Sequence, residues 1–402
     1  MISLNIRRVF IYTGCLSLLG IYSLLWVHMI NSQAERTGSD FIGFYSAGRV
    51  AQTEGPQSIY IPESQQKIEE SQVGFKLAPG QILLFNHLPY LVPALSLLVT
   101  ENYIASFIRW SIILLAVYFL DICLLLFTIK RSAMKINQTL QLAIGAILFF
   151  PFFVSLMNGQ DTVFVLLGAV ILLIGLDIDK PVLTGLGLCI LTIRPQLAFI
   201  LAFPLFFYNR KIFYWFLIGS VFLGLFVLIF LGLGGTHQLF EILLTSSQGD
   251  WYGLSPKEMP TLTGMLHRIL PDLSSHIVQV VGLSGYLIAL TGLCFTWYKS
   301  KRMTYSLIGF AFLVSMFFVP YLHYHDLTLL LIPIFCLPGF HDPQQKDYMI
   351  LIPIGLSFFL FLGFILDPIR YLTVSISMTF LGYLLLIPNH IKPLQAFTSN
   401  IS

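Results

Sequence analysis

Pro181-Val-Leu-Thr-Gly-Leu-Gly-Leu-Cys-Ile-Leu-Thr-Ile-Arg-Pro-Gln-Leu-Ala-Phe-Ile-Leu-Ala-Phe-Pro-Leu-Phe-Phe-Tyr208 is apolar almost throughout, with a single charge, Arg194, near its middle. Arg194-Pro195 divides it into two runs, 181–193 and 196–208. Each is shorter than the ~20 residues that a helix needs to cross a bilayer. Such a pair predicts a helical hairpin that turns inside the protein. Non-helical backbone at membrane depth is tolerated only where it is shielded or lines a polar cavity. The stretch therefore predicts helical membrane architecture and marks one place to look for chemistry.

The rest of the chain agrees with that reading. It has 402 residues, 56% of them hydrophobic and 10% charged, with a mean hydropathy of +0.83. This is the composition of an integral membrane protein. Leu, Ile and Phe recur on all sides of the apolar runs, with Gly and Pro interleaved, as in packed helices; barrel strands would alternate with period two. Asn5-Ile6-Arg7-Arg8 before an apolar run could open a signal peptide. Val27-His28-Met29-Ile30-Asn31 makes a poor cleavage site, so the first helix reads as uncleaved. Cys15, Cys123, Cys189, Cys294 and Cys336 are scattered within or beside apolar runs and show neither disulfide nor metal-ligand spacing. The net charge of +3 carries no nucleic-acid signature; topology explains the basic residues better.

Twelve apolar segments are expected, at about 9–30, 103–129, 138–157, 162–177, 181–193, 196–208, 212–233, 276–298, 304–320, 327–340, 348–366 and 371–388. Arg7, Arg8, Lys130, Arg131, Lys135, Lys180, Arg210, Lys211, Lys299, Lys301, Arg302, Lys346 and Lys392 all fall on one side of that count. By the positive-inside rule this side is cytoplasmic, with both termini. Six polar segments then share the outer side: 31–102, 158–161, 194–196, 234–275, 323–326 and 367–370. A bundle that points its polar clusters at one interface has a site there. The first of these segments is about 70 residues long. Within it, Asp40 to Gln52 reads as an amphipathic helix capped by Ser39 or Asp40, and residues 63–72 as a second, polar helix, both lying in the interface plane.

In order along the chain stand Asp40-Phe41 to Tyr45, Ala47-Gly48-Arg49, Gly55, Ile59-Tyr60, Gln65-Gln66, Leu84-Phe85-Asn86-His87-Leu88-Pro89-Tyr90, Asn158-Gly159-Gln160-Asp161, Arg194-Pro195-Gln196, Gly249-Asp250-Trp251-Tyr252-Gly253 and His323-Tyr324-His325-Asp326. Their order and outward placement resemble glycosyltransferase family 87, the class C transferases that use polyprenol-phosphate-linked mannose or arabinose. The likeness spans roughly residues 35–335. The family's Tyr-Pro-Pro is replaced here, and Arg194 stands where it has Lys.

The resemblance implies an all-α polytopic membrane protein of GT-C type, with the whole chain 1–402 forming one glycosyltransferase-like domain. It implies inverting single displacement from a polyprenyl-phosphate sugar, mannose foremost, to a lipid or glycan acceptor outside the bacterial cytoplasmic membrane. Asp40 is the expected base; the bland alternative is a helix cap. Arg194 is a phosphate clamp or a structural partner of Asp161 or Asp326. His323, His325 and Asp326 bind sugar or phosphate, or form a plain interfacial turn. Asn158, Gln160 and Asp161 meet sugar hydroxyls or cap a turn. Gln196 and Tyr45 join the donor-binding set. Arg49 reaches phosphate or snorkels to headgroups. Asp250, Trp251 and Tyr252 pair a carboxylate with aromatic faces, a combination suited to an acceptor sugar. No cofactor is fixed, and a divalent cation remains compatible.

The sequence has no Walker A and no Gly-x-Gly-x-x-Gly at a strand-to-helix turn, which argues against a nucleotide-sugar donor or an ATP-driven pump. The rival class is a secondary transporter or lipid flippase. Carriers usually place polar sites at the midplane and show two similar halves. Here the polar clusters share one face and no repeat is visible.

Overall fold

The computed structural model describes residues 4–130, 136–247, 256–300, 303–341 and 351–386. Among them the secondary structure is helical, with no β-strand. Among the described residues six helical stretches, two of them (139–158 and 367–386) made of joined helical pieces, are long and apolar enough to cross a membrane, and further apolar helices of 10–17 residues lie between them. The chain is a polytopic α-helical membrane protein.

The first helix, α1 (Leu4–Asn31), is followed by a short turn of helix, α2 (Gln33–Thr37), and then by α3 (Phe41–Thr53), α4 (Pro62–Val73) and α5 (Val92–Leu98). The long α6 (Tyr103–Lys130) leads to α7 (Ile136–Ile147) and α8 (Phe150–Asn158). The expected third segment is thus broken at Leu148-Phe149, just before Pro151 at the second position of α8, where a missing N–H costs nothing. Carbonyls freed at the break find partners: Tyr22 donates to Leu148 O at 3.1 Å and Tyr118 to Ala146 O at 2.5 Å.

Helix α9 (Thr162–Asp177) is buried along nearly its whole length and packs against α10 (Pro181–Leu191). With α11 (Pro195–Tyr208), α10 forms the hairpin read from sequence. At 11 and 14 residues and ~1.5 Å per residue, neither spans a ~30 Å hydrocarbon core. Pro195 starts α11, and Arg194 sits in the break in non-helical backbone (φ −117°, ψ 83°).

Helix α12 (Arg210–Ser247) corrects the expected outer loop 234–275. Gly-Gly-Thr-His reads as a stop, but only Gly232 leaves helical geometry, at φ 67°, a value open to glycine without a Cβ penalty. Helix resumes beyond it to Ser247. After it come α13 (Leu262–Ile269), α14 (Ser275–Lys299), α15 (Tyr305–Phe318), a 3₁₀ turn over Tyr324–Leu330, α16 (Leu331–Phe335), α17 (Pro338–His341), α18 (Ile352–Ile365) and α19 (Arg370–Leu386).

A second correction concerns α3. It does not lie on a lipid surface: Phe41, Ile42, Phe44, Tyr45, Ser46, Ala47 and Val50 are all buried. The helix packs against α4, α5 and α6. Phe41 meets Phe107 edge-on at 5.1 Å, and Phe44 meets Phe85 edge-on at 5.5 Å. The polar α4 is likewise tied inward. Gln65 and Glu69, one turn apart, accept hydrogen bonds from the amides of Phe85 (2.7 Å) and Leu83 (3.2 Å). This helix therefore holds the segment 82–88 in register.

Candidate functional site

Segments from all six polar regions line one cavity of about 740 Å³. Asp40 comes from the start of α3, His87 from the segment held by α4, and Asn158 and Gln160 from the α8–α9 turn. Arg194 and Gln196 come from the hairpin break, and His323, His325 and Asp326 from the 3₁₀ turn. His267, Arg370 and Tyr371 also line the cavity.

Each side chain is placed by local chemistry. Helix α8 ends with Gly159 at φ 65°, where its N–H bonds to Leu156 O and Gln160 N–H to Ser155 O, closing a left-handed cap. Trp110 Nε1 donates to Gly159 O at 2.8 Å and fixes the turn against α6. The turn aims Gln160 at Asp40 and Asp161 at Arg194. Gln160 Nε2 donates to Asp40 Oδ2 at 2.6 Å. Asp40 occupies the N-cap position but makes no side-chain capping bond. Its carboxylate is committed to the cavity instead.

Arg194 is paired. Its Nη2 donates to Asp161 Oδ1 at 2.8 Å and approaches Asp326 Oδ1 at 3.4 Å, and its Nη1 lies 3.0 Å from His87 Nδ1. Both acids are buried, with side chains 1% and 2% exposed. Burial alone would raise the Asp161 carboxyl; the charges of Arg194 and His87 and their hydrogen bonds outweigh it and hold Asp161 below the usual carboxylate range. Asp326 also accepts from Thr162 Oγ1 (3.1 Å) and from the His323 amide (3.0 Å), stapling the 3₁₀ turn to the start of α9. Arg194 is thus paired with both acids while it also lines the cavity. Burial, and then neighbouring His325, pushes the His323 imidazole down. His325 Nε2 is buried without a hydrogen-bond partner, and Gln196 Nε2 donates to Tyr321 O at 3.1 Å.

Two expected residues point elsewhere. Tyr45 is buried and donates to Thr100 O at 2.9 Å, locking α3 to the start of α6. Arg49 donates to Gln52 Oε1 at 2.7 Å and lies 3.8 Å from the exposed Glu101. Neither lines the cavity, because the helix turns that face toward α5. Asp250, Trp251 and Tyr252 lie outside the described residues. His87 was not singled out by sequence reasoning. Its only signal was a lone imidazole in Asn86-His87-Leu88-Pro89 between apolar neighbours. As for a divalent cation, Asp161 and Asp326 both face Arg194, and among the described residues no three His, Cys, Asp or Glu side chains form a metal-ligating group. The described residues at the site do not fit such an ion.

Fold and cavity define a polytopic membrane protein with a carboxylate-bearing polar site open to several loops. The sequence model of glycosyltransferase family 87 matches residues 86–322, more than half of the chain, and the chain belongs to that family; it is a membrane glycosyltransferase. No curated protein and no solved structure matches it.

Proposed function

We propose that this protein is a GT-C-type transferase that moves a sugar, mannose foremost, from a polyprenyl-phosphate carrier to a lipid or glycan acceptor. The cavity opens on the outer face of the bacterial cytoplasmic membrane, with both termini inside. The acceptor hydroxyl oxygen attacks the anomeric carbon, the bond from that carbon to the phosphate oxygen breaks with its electron pair leaving on polyprenyl phosphate, and configuration inverts. Asp40 takes the hydroxyl proton. Gln160 orients Asp40, while Asn158, Gln196, His323 and His325 take sugar hydroxyls. Arg194 holds Asp161 and Asp326 at the cavity floor. Asp250, Trp251 and Tyr252 serve the acceptor.

One observation carries this reading. The Asp40 carboxylate faces the cavity on a 2.6 Å bond from Gln160 instead of capping its own helix. The test is transfer of radiolabelled mannose from polyprenyl-phosphate-mannose by purified protein in lipid. Asp40→Asn is expected to lose about 10²–10⁴-fold in rate with unchanged melting. Equal transfer by both proteins refutes the base assignment. No transfer from mannosyl or arabinosyl lipid phosphates to any acceptor refutes the donor class.

A further inference from the structure

The cavity is electrically lopsided. Asp40 and Asp326 line it together with Arg194, whose guanidinium also pairs with the buried Asp161, so three carboxylates stand near one guanidinium. An anionic group placed there would meet unfavourable potential. Two arginines come together where α13 meets the start of α19, beside Glu258, which also lines the cavity. The Arg268 guanidinium lies over the Tyr371 ring at 3.9 Å, and its Nη1 bonds to the carbonyls of Lys257 (2.6 Å) and Met259 (2.8 Å). Carbonyls orient that group without neutralising it, and among the described residues Arg268 has no carboxylate within ion-pair reach.

Arg370, one residue before Tyr371, lines the cavity directly. Its carboxylate partner, Asp367 at 2.8 Å, is 77% exposed. A pair so exposed is weakly held and readily exchanged. Arg370 Nε is buried and has no hydrogen-bond partner. Around the two arginines, Ile269, Leu270, Ile277, Leu366, Ile369 and Leu372 are exposed. On a membrane protein such a collar faces acyl chains. Cations in an apolar collar beside a polar cavity form a site for the phosphate of a lipid.

We propose that Arg268 and Arg370, arranged around Tyr371, bind the phosphate of the lipid-linked donor at the cavity rim, so that an uncharged sugar points inward to Asp40 and the isoprenyl chain leaves over the apolar collar. The assignment rests on the donor class proposed above. It makes the two arginines positioning residues and sets a specificity: the carboxylates around Arg194 disfavour anionic sugars.

The test is equilibrium binding of farnesyl phosphate to the full chain in detergent, against farnesol and inorganic phosphate. Arg370→Gln is expected to weaken farnesyl phosphate about tenfold, the loss of one charge-assisted contact, and to raise KM for the donor more than it lowers kcat. Arg370→Lys should recover part of the affinity. Because Arg268 also holds two backbone carbonyls, Arg370→Gln is the deciding variant and Arg268→Lys its companion. Farnesol or inorganic phosphate binding as tightly as farnesyl phosphate overturns the proposal, the first because charge is then idle, the second because the collar is. Farnesyl phosphate affinity unchanged in Arg370→Gln overturns the rim site and leaves the donor class standing. Absence of binding to the wild type overturns both. Arginine-dependent binding without sugar transfer supports the site and refutes the transfer reaction. Asp40→Asn should bind normally while failing to transfer, which separates the two functions.

Discussion

Replacing Arg194 with glutamine removes the one positive charge between two buried carboxylates, a change whose cost can be worked from the geometry. In the wild type Asp161 and Asp326 lie 2.8 Å and 3.4 Å from the guanidinium, and both side chains are nearly inaccessible. Breaking a buried pair by deleting one partner costs about 3–5 kcal/mol, because the remaining charge is left uncompensated. Here two charges are left, which puts Arg194→Gln at the upper end of that range. With an unfolding entropy of roughly 2.1 cal/mol/K per residue, 402 residues translate this into a melting point lower by about 4–6 °C. Asp161→Asn in the same chain should restore much of the loss, since the double variant has one buried carboxylate fewer. The depressed Asp161 group gives the pH direction: its stabilisation is complete above the unfolded value of about 4 and falls away only as pH drops toward the lower folded value. The destabilisation by Arg194→Gln should therefore shrink below about pH 4. Scanning fluorimetry of wild type, both single variants and the double variant in one detergent reads all of this. An Arg194→Gln protein that melts with the wild type, or a double variant no better than Arg194→Gln, refutes the account of a charge-balanced floor.

Three further outcomes are expected. Burial raises the Glu69 carboxyl to about 7, so the folded state holds a proton that the unfolded state releases near pH 4.3. Stability from this group is present below about pH 4.3 and lost as pH rises to about 7; Glu69→Gln should flatten that slope in a melting series and gain on the order of 1–3 kcal/mol at pH 8. Gly159→Ala forces a side chain into left-handed backbone and sets a Cβ 2.6 Å from Phe41 Cβ; a loss of about 1–3 kcal/mol with a parallel fall in transfer should follow, and wild-type melting would contradict it. Gln160→Leu leaves Asp40 without its 2.6 Å donor, and transfer should drop about 10–100-fold at unchanged donor affinity, measured by single-turnover kinetics alongside binding.

Much of the fold was legible because membrane constraints are strong. The runs 162–177 and 103–129 were read to within a residue, and the Arg194 break lies where Pro195 put it. The gathering of distant polar segments could be argued from charge placement alone. What escaped depended on tertiary neighbours. The amphipathic pattern of α3 fits an interface as well as a protein interior, and only Phe85, Tyr103 and Phe107 decide between them. Gly232 looks like a terminator but is a kink, because helix resumes on its far side. Glu69 looks like solvent-facing charge in a polar run, yet it is buried by a chain segment that arrives fourteen residues later. His87, Arg268 and Arg370 belong to no periodic pattern, and their roles follow from what folds against them.

The rack formed by Gln65 and Glu69 bears on how such proteins can be recombined. Because α4 grips the strip that carries His87, and His87 touches Arg194 on a distant hairpin, the stretch between the first two long helices is no interchangeable cassette. Grafting that stretch from a relative would import a wall without its matching floor. A working chimaera would have to exchange the 82–88 strip, the α8–α9 turn and the hairpin break together, so the smallest heritable unit of specificity here is a constellation scattered along the chain.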